Sequence, residues 1–248
     1  MKLITLNTWG GKIYQPLLEF ISKNKDVDIF CFQEIFHNLD EKTSTADLVA
    51  SNNACKKLFN DIKEVLGNHR GYFCPVHGPS YGLAIFVKKN IKVVEVGDAL
   101  LYKNDKFDPN DDWSDHDRKL QWLKICGDKD MVIMNVHGHW TGKDKEDNSA
   151  RLHQSKEIVN LLEKFAGLSR ILCGDFNLRP DTESIKMLEK DMINLVIKSG
   201  ITSTRTSLYS KSEKFADYVF TSPEVEVINF KILPNEVSDH TPLLLEFK

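Results

Sequence analysis

The chain has no Cys-x-x-Cys pair, no apolar run near the ~20 residues that cross a bilayer, and no surplus of basic residues. The missing Cys-x-x-Cys argues against a thiolate zinc site. Five cysteines (Cys31, Cys55, Cys74, Cys126 and Cys173) form an odd set without paired spacing. Cys31, Cys126 and Cys173 lie within apolar runs, so buried free thiols and a reducing, cytoplasmic compartment are expected. No transmembrane segment is predicted. The opening stretch, Met1-Lys2-Leu3-Ile4-Thr5-Leu6-Asn7, is shorter than a signal peptide's apolar region of roughly 7–15 residues plus flanks, and reads as a first strand. With a net charge of -3 and a pI of about 6.2, the chain is unlike a non-specific duplex binder, which is basic. A local basic rim beside an acidic metal site stays compatible with nucleic acid. There is no low-complexity tract, linker or clear repeat, so the 248 residues are expected to build one domain, 1–248.

What is present builds a core: 41% of the residues are hydrophobic and 28% charged, the balance of a globular protein. Apolar periodicity predicts strands at 2–7, 27–33, 72–76, 83–88, 92–96, 120–125 and 131–136, then at 170–173, 202–206, 217–221, 225–232 and 241–247. Helices are predicted at 15–23, 53–66, 150–165 (capped by Asn148 or Ser149) and 183–189. The polar stretches 37–49, 103–117 and 144–149 read as loops. Mixed strand and helix order suggests two sheets with helices outside them.

Polar residues with catalytic chemistry stand at the ends of the apolar runs. After Ile171-Leu172-Cys173, Gly174 permits close backbone approach, and Asp175 and Asn177 are expected on one side, suited to a metal or nucleophilic water and a phosphate oxygen. The same residues also form ordinary turns. Glu34 ends a wholly apolar run and needs a partner, a divalent cation or a buried base. Asn7 closes the first strand, where its amide would touch phosphate or orient Glu34. Asp239-His240 precedes the last strand, and Asp217 enters an apolar one; Asp217 is expected to orient His240, with a plain salt bridge as the alternative. His137 and His139, two apart, also suit a dinuclear histidine centre, but no Gly-Asn-His follows. His137 is therefore expected to contact phosphate, and His139 to be structural. Arg205, among hydroxyls, is the preferred phosphate-binding arginine, while Arg118, Arg151 and Arg179 default to solvated surface. Trp9, Trp113 and Trp140 flank the candidate segments, with Trp140 a candidate platform for a substrate ring.

Taken in order, Asn7, Gln33-Glu34, Asn135-Val136-His137, Gly174-Asp175-Phe176-Asn177, Asp217-Tyr218 and Ser238-Asp239-His240 resemble the endonuclease/exonuclease/phosphatase superfamily, with the deoxyribonuclease I-like fold. The resemblance implies an α/β (α+β) four-layer sandwich, two packed mixed sheets flanked by helices. It implies Glu34 as the principal metal ligand, helped by Asn7 and Asp239, for Mg2+ with Mn2+ as its substitute. It implies Asp175 and Asn177 as the pair that positions water and phosphate, His240 as the catalytic histidine oriented by Asp217, and His137 as the second histidine. Two departures matter. The family's usual Asn-Thr-His-Leu is Asn135-Val136-His137-Gly138 here, and the stretch Tyr81–Phe86 carries no acid to pair with His137. A scheme with one histidine and Asp175 is therefore expected. The Gly-Asp-Phe-Asn form is closer to the deadenylase, tyrosyl-DNA phosphodiesterase and sphingomyelinase branches. The expected activity is magnesium-dependent phosphodiester hydrolysis, by a nuclease or an enzyme processing single-stranded nucleic acid or nucleic-acid ends. The alternative is a phosphatase or phospholipase C-type hydrolase of inositol phosphates, lipid head groups or other small phosphoesters. A non-catalytic module of the same fold is disfavoured by the intact Glu34, Asp175, Asn177 and His240.

Overall fold

The computed structural model describes residues 1–39, 54–107, 115–127 and 129–248. Its strands form two six-stranded sheets. The first runs β11 (Val227–Ile232), β12 (Leu243–Phe247), β1 (Lys2–Asn7), β2 (Ile29–Phe36), β4 (Tyr81–Lys88), β3 (His69–His77). The second runs β5 (Lys92–Tyr102), β6 (Arg118–Cys126), β7 (Met131–His137), β8 (Ser169–Asp175), β10 (Asp217–Thr221), β9 (Ile193–Asn194). Each sheet contains one parallel pair, β1 with β2 and β7 with β8. Parallel neighbours need a crossover: α1 (Tyr14–Lys23) joins the first pair and α3 (Ser149–Lys164) the second.

Alternation along the strands explains the layers. In β1 and β2, Leu3, Ile29 and Cys31 join the core between the sheets, while Ile4, Leu6, Phe30 and Phe32 pack outward. The outward set meets Leu17, Phe20 and Ile21 of α1 and Leu58 and Ile62 of α2 (Leu58–Val65). On the other side, Ile158 and Leu162 of α3 and Ile185 and Leu188 of α4 (Glu183–Glu189) cover the second sheet. Strands buried on both faces read as continuous apolar runs, as 29–36 does. The result is helix, sheet, sheet, helix, the four-layer arrangement expected.

Period two also sends Asn7 and Gln33 inward, with Leu3 and Ile29. Gln33 Nε2 donates to Asn135 Oδ1 (2.6 Å) across the gap between sheets, and Asn135 Nδ2 donates to the Phe32 and Ala84 carbonyls (3.0 and 3.3 Å). This buried clamp lies beneath the strand ends that carry the polar motifs. Gln33→Leu strands the Asn135 acceptor in the core and is expected to cost about 1–3 kcal/mol, read from the urea midpoint. An unchanged midpoint would show the clamp to be dispensable.

Several elements differ from expectation. The run 202–206 forms no ladder beyond a single bridge between Arg205 and His240. Instead Thr204 Oγ1 accepts from the Ala216 and Asp217 amides (3.1 and 3.2 Å), a side-chain bond that competes with strand pairing. β5 extends to Tyr102, and β9 with α5 (Leu195–Lys198) follows α4 unforeseen. Cys126 is exposed rather than buried, at the end of β6, whereas Cys31, Cys74 and Cys173 are buried. Trp113, the start of the predicted helix at Asn53 and most of the 37–49 loop lie outside the described residues. No helix among the described residues is long and apolar enough to cross a membrane.

Candidate active site

The strand ends named in the sequence converge. Asn7 pairs with Gln33 at the end of the β1–β2 register, and His137, Asp175 and Asp217 share one level across β7, β8 and β10. Between them opens a cavity of about 290 Å3 lined by Glu34, His137, Asp175, Asn177, Asp239 and His240.

Local backbone irregularities aim these groups. Glu34 falls inside β2, not after it, where the pairing with β4 slips between Phe32 and Ile35 and φ is +57. A bulge re-aims a side chain, and here it turns the carboxylate into the cavity. Left-handed backbone in a non-glycine residue costs of order 1–3 kcal/mol and gathers at functional sites. Trp9 (φ 52) and Asn177 (φ 53) at the same cavity are also left-handed. Asp175 and Asn177 are thus brought together by a turn rather than by strand period. Asp175 Oδ1 accepts from the Asn177 amide (2.9 Å) and Asn177 Nδ2 donates to the Gly138 carbonyl (3.3 Å). Gly174 has φ 133, and a Cβ there would meet Val136 O at 2.1 Å, so the close approach expected of it is realised.

Asn7 joins the two sheets at the site. Its Nδ2 donates to Glu34 Oε1 and Asp175 Oδ2, both at 2.9 Å, while its oxygen accepts from the Trp9 amide (2.9 Å). In this arrangement the amide orients two carboxylates and turns its oxygen away from the cavity.

His240 is buried with Nδ1 2.8 Å from Asp217 Oδ2 and 2.9 Å from Oδ1. Its Nε2 lies 3.6 Å from Asp175 Oδ2 and also meets Arg205 Nη1. Burial and Arg205 push its pKa down, but Asp217, Asp239 and Asp175 outweigh them and hold it above the ordinary range. The Arg205 contact, by contrast, asks for a lone pair on Nε2. The Asp217 bond is common to both forms, so Nδ1 stays protonated and Nε2 is the atom that gains or loses a proton. Arg205 also donates to Asp239 Oδ2 (3.0 Å). His137 has the opposite setting: burial, then Arg118, push its pKa well below the ordinary range. It lies 3.8 Å from both Glu34 Oε1 and Asp175 Oδ2, a neutral imidazole suited to hydrogen bonding.

Three findings correct or extend the sequence reading. Arg118 is not solvated surface but 1% exposed, with Nη1 3.0 Å from His137 Nε2 at the cavity floor. His137 thus has an arginine beside it, from β6, and no acid from the stretch Tyr81–Phe86. Arg151 is also fully buried, and binds the Asp144 side chain and the His139 carbonyl; Arg179 is surface, paired with Asp181. Tyr209 and Lys211 also line the cavity, from a polar stretch in which no local pattern marks them. Trp9 and Trp140 line the cavity, and each carries a lysine on its ring, Lys12 at 4.4 Å and Lys211 at 4.6 Å. His139 is a structural residue, with Nε2 2.8 Å from Asp115 Oδ1 and its amide bonded to Gln154.

The donor set suits a hard cation. Glu34, Asp175 and Asp239 present carboxylate oxygens, the donor type that Mg2+ and Mn2+ prefer. Burial first, then the Asp239 and Asp175 carboxylates, raise the pKa of Glu34 against the lowering bond from Asn7, an excess of negative charge that a divalent cation relieves. Among the described residues, Asp175, Asp217 and His240 also bring ligand atoms within 4.8 Å of one another. His240 and Asp217 are bonded to each other, which favours the Glu34 side for the ion.

Two mixed sheets thus meet at a cavity of carboxylates, histidines and arginines, groups suited to phosphoester hydrolysis. The sequence matches the model of the Endonuclease/Exonuclease/phosphatase family over residues 4–240, and the chain belongs to that family. Comparison with curated proteins finds no significant match. Among solved structures, the chain is similar to the mannosyl-6-phosphatase Bt3783 of Bacteroides thetaiotaomicron VPI-5482 (TM-score 0.73, 19% identity, 100% of this chain and 99% of that one). It is similar to a family protein of Leptotrichia buccalis C-1013-b (TM-score 0.70, 19% identity, 100% and 99%). It is also similar to truncated TDP2 of Caenorhabditis elegans (TM-score 0.69, 17% identity, 99% and 96%). At these identities the likeness establishes the fold.

Proposed function

We propose that the chain is a divalent-metal-dependent hydrolase of small phosphoesters, first of all phosphomonoesters of a sugar-sized alcohol. The observation that carries this reading is the cavity: about 290 Å3, walled by Trp9, Tyr81, Trp140 and Tyr209, with Arg118 and Arg205 inside. That volume is at the small end for ligand sites, and two guanidiniums suit a phosphate dianion. The net charge of -3 and the likeness to a mannosyl-6-phosphatase point the same way. This favours the alternative over the nuclease that the sequence pattern put first.

Glu34 and Asp239 would hold the cation, Mg2+ or Mn2+, with Asn7 fixing Glu34 rather than ligating. When bound, such an ion polarises a phosphoryl oxygen. Asp175 and Asn177 hold the attacking water in line and keep it oriented. Arg205, and Arg118 held in place by neutral His137, donate to the non-bridging oxygens as charge builds, the stage at which positioned donors count most. His240 moves the proton at Nε2, steadied by Asp217 through Nδ1. Five free cysteines, three of them buried, support a reducing, cytoplasmic setting.

Magnesium-supported release of p-nitrophenol from p-nitrophenyl phosphate is expected to exceed release from the bis-ester, with loss on chelation and recovery with Mn2+. A panel of sugar phosphates, inositol phosphates, sphingomyelin, RNA and single-stranded and duplex DNA extends the test. Preference for the bis-ester and for nucleic acid would return the assignment to a phosphodiesterase. Activity that survives chelation would remove the metal.

A further inference from the structure

Lys145 is fully buried in the loop between β7 and α3, and nothing in the chemistry above uses it. Its Nζ donates to the Phe215 carbonyl (2.9 Å) and lies 5.8 Å from the ring centroids of both Trp140 and Tyr209. Arg205 stacks on Tyr209 at 4.0 Å, and Lys211 stands over Trp140 at 4.6 Å. Cations and rings therefore alternate in one ladder: Arg205, Tyr209, Lys145, Trp140, Lys211. One end meets His240 and Asp239, and the other is at the cavity rim. Among the described residues, no carboxylate comes within salt-bridge distance of Lys145.

A desolvated ammonium without an ion-pair partner is costly. The two ring faces at 5.8 Å return part of that cost, and the charges of Asp175, Asp217 and Asp239 act over longer range against that of Arg205. Burial nonetheless pulls the pKa of Lys145 down to about 8. Such a residue is a poor choice for stability alone, since a large apolar side chain would fill the same space without the charge.

We propose that Lys145 is a positioning residue, whose ammonium fixes the Tyr209 and Trp140 rings and the Phe215 carbonyl in one arrangement and so sets Arg205 and Asp217 against His240. The path is short. Phe215 is two residues before Asp217, and Tyr209 carries the guanidinium that touches His240 Nε2. The inference rests on reading the cavity as a phosphoester site, but its consequence for the His240–Asp217 bond does not depend on turnover.

The test compares wild type with Lys145→Met and Lys145→Arg, each with its magnesium. The first readout is the downfield proton resonance of His240 Nδ1–H, assigned by its loss in His240→Gln. The second is kcat and KM on the substrate that wild type turns over best. Lys145→Met is expected to keep its circular dichroism, to shift or broaden the resonance, and to lose kcat by roughly 30- to 100-fold with KM within about threefold, the scale of an ångström's misplacement. Lys145→Arg should recover part of both. An unchanged resonance with unchanged kcat overturns the proposal, and so does a loss of stability alone. Should Lys145→Met fail to fold, Lys145→Gln takes its place in the same measurements. A wild type inactive on the whole panel removes the functional reading, and the resonance then decides the role of Lys145 by itself.

Discussion

Asp217→Asn is expected to lower kcat by roughly 10³- to 10⁴-fold, the scale at which a buried carboxylate behind a catalytic imidazole matters elsewhere, with little change in melting temperature. Both carboxylate oxygens lie within 2.9 Å of His240 Nδ1. An amide in that place offers one acceptor and one donor. If the nitrogen faces His240, the ring must carry its proton on Nε2, which then points a proton at Arg205. If the oxygen faces it, the tautomer is kept but the charge is lost, and burial and Arg205 are no longer opposed by Asp217 beside Asp239 and Asp175. The backbone is held independently, because the Asp217 amide donates to Thr204 Oγ1 at 3.2 Å. The fold should therefore survive while proton transfer fails. A variant with kcat within about threefold of wild type would show that Asp217 is a plain ion-pair partner, the alternative that the sequence leaves open.

What could be foreseen from sequence follows from what strand period encodes. The place of Asn7 at the end of the first strand was legible, as was that of Asp175 at the end of Ile171-Leu172-Cys173. The departures from regular backbone were not. Glu34 reaches the cavity because β2 slips one residue against β4, and that slip is decided by the partner strand. Asn177 reaches it through a left-handed turn, where two-residue alternation suggested the right outcome for a different reason. Arg118 and Lys145 are charged residues in or beside polar stretches, and exposure is the sound default for such residues. Distant segments meet them inside: His137 beside Arg118, and the Phe215 carbonyl, Tyr209 and Trp140 around Lys145. The stretch 202–206 failed as a strand because its hydroxyls found backbone partners of their own: Thr204 caps the entry to β10. Thr206 Oγ1 donates to the Ser238 carbonyl at 2.7 Å.

Glu34→Gln and Asp175→Asn are each expected to cost about 10²- to 10³-fold in kcat, and they should separate on metal titration. Glu34 commits Oε1 to Asn7 and keeps 27% of its side-chain surface open to the cavity. Glutamine preserves an oxygen donor there with less charge, so the cation binds more weakly and part of the activity should return as Mg2+ is raised. Asp175 has no such freedom. Its Oδ1 accepts from the Asn177 amide and its Oδ2 from Asn7 Nδ2. Asparagine must turn a donor toward one of these donors, which disturbs the pair that holds water and strands a buried group at about 1–3 kcal/mol. Burial alone would raise the pKa of Asp175, but His240, Lys145 and Arg205 together hold it well below the ordinary carboxylate range. The native charge is thus matched to cations that the variant leaves uncompensated. Its activity should stay low at every Mg2+ concentration. If both variants recover alike with metal, Asp175 belongs to the ion rather than to the water. If neither recovers, the cation is held elsewhere than at Glu34, with the cluster of Asp175, Asp217 and His240 the next place to look.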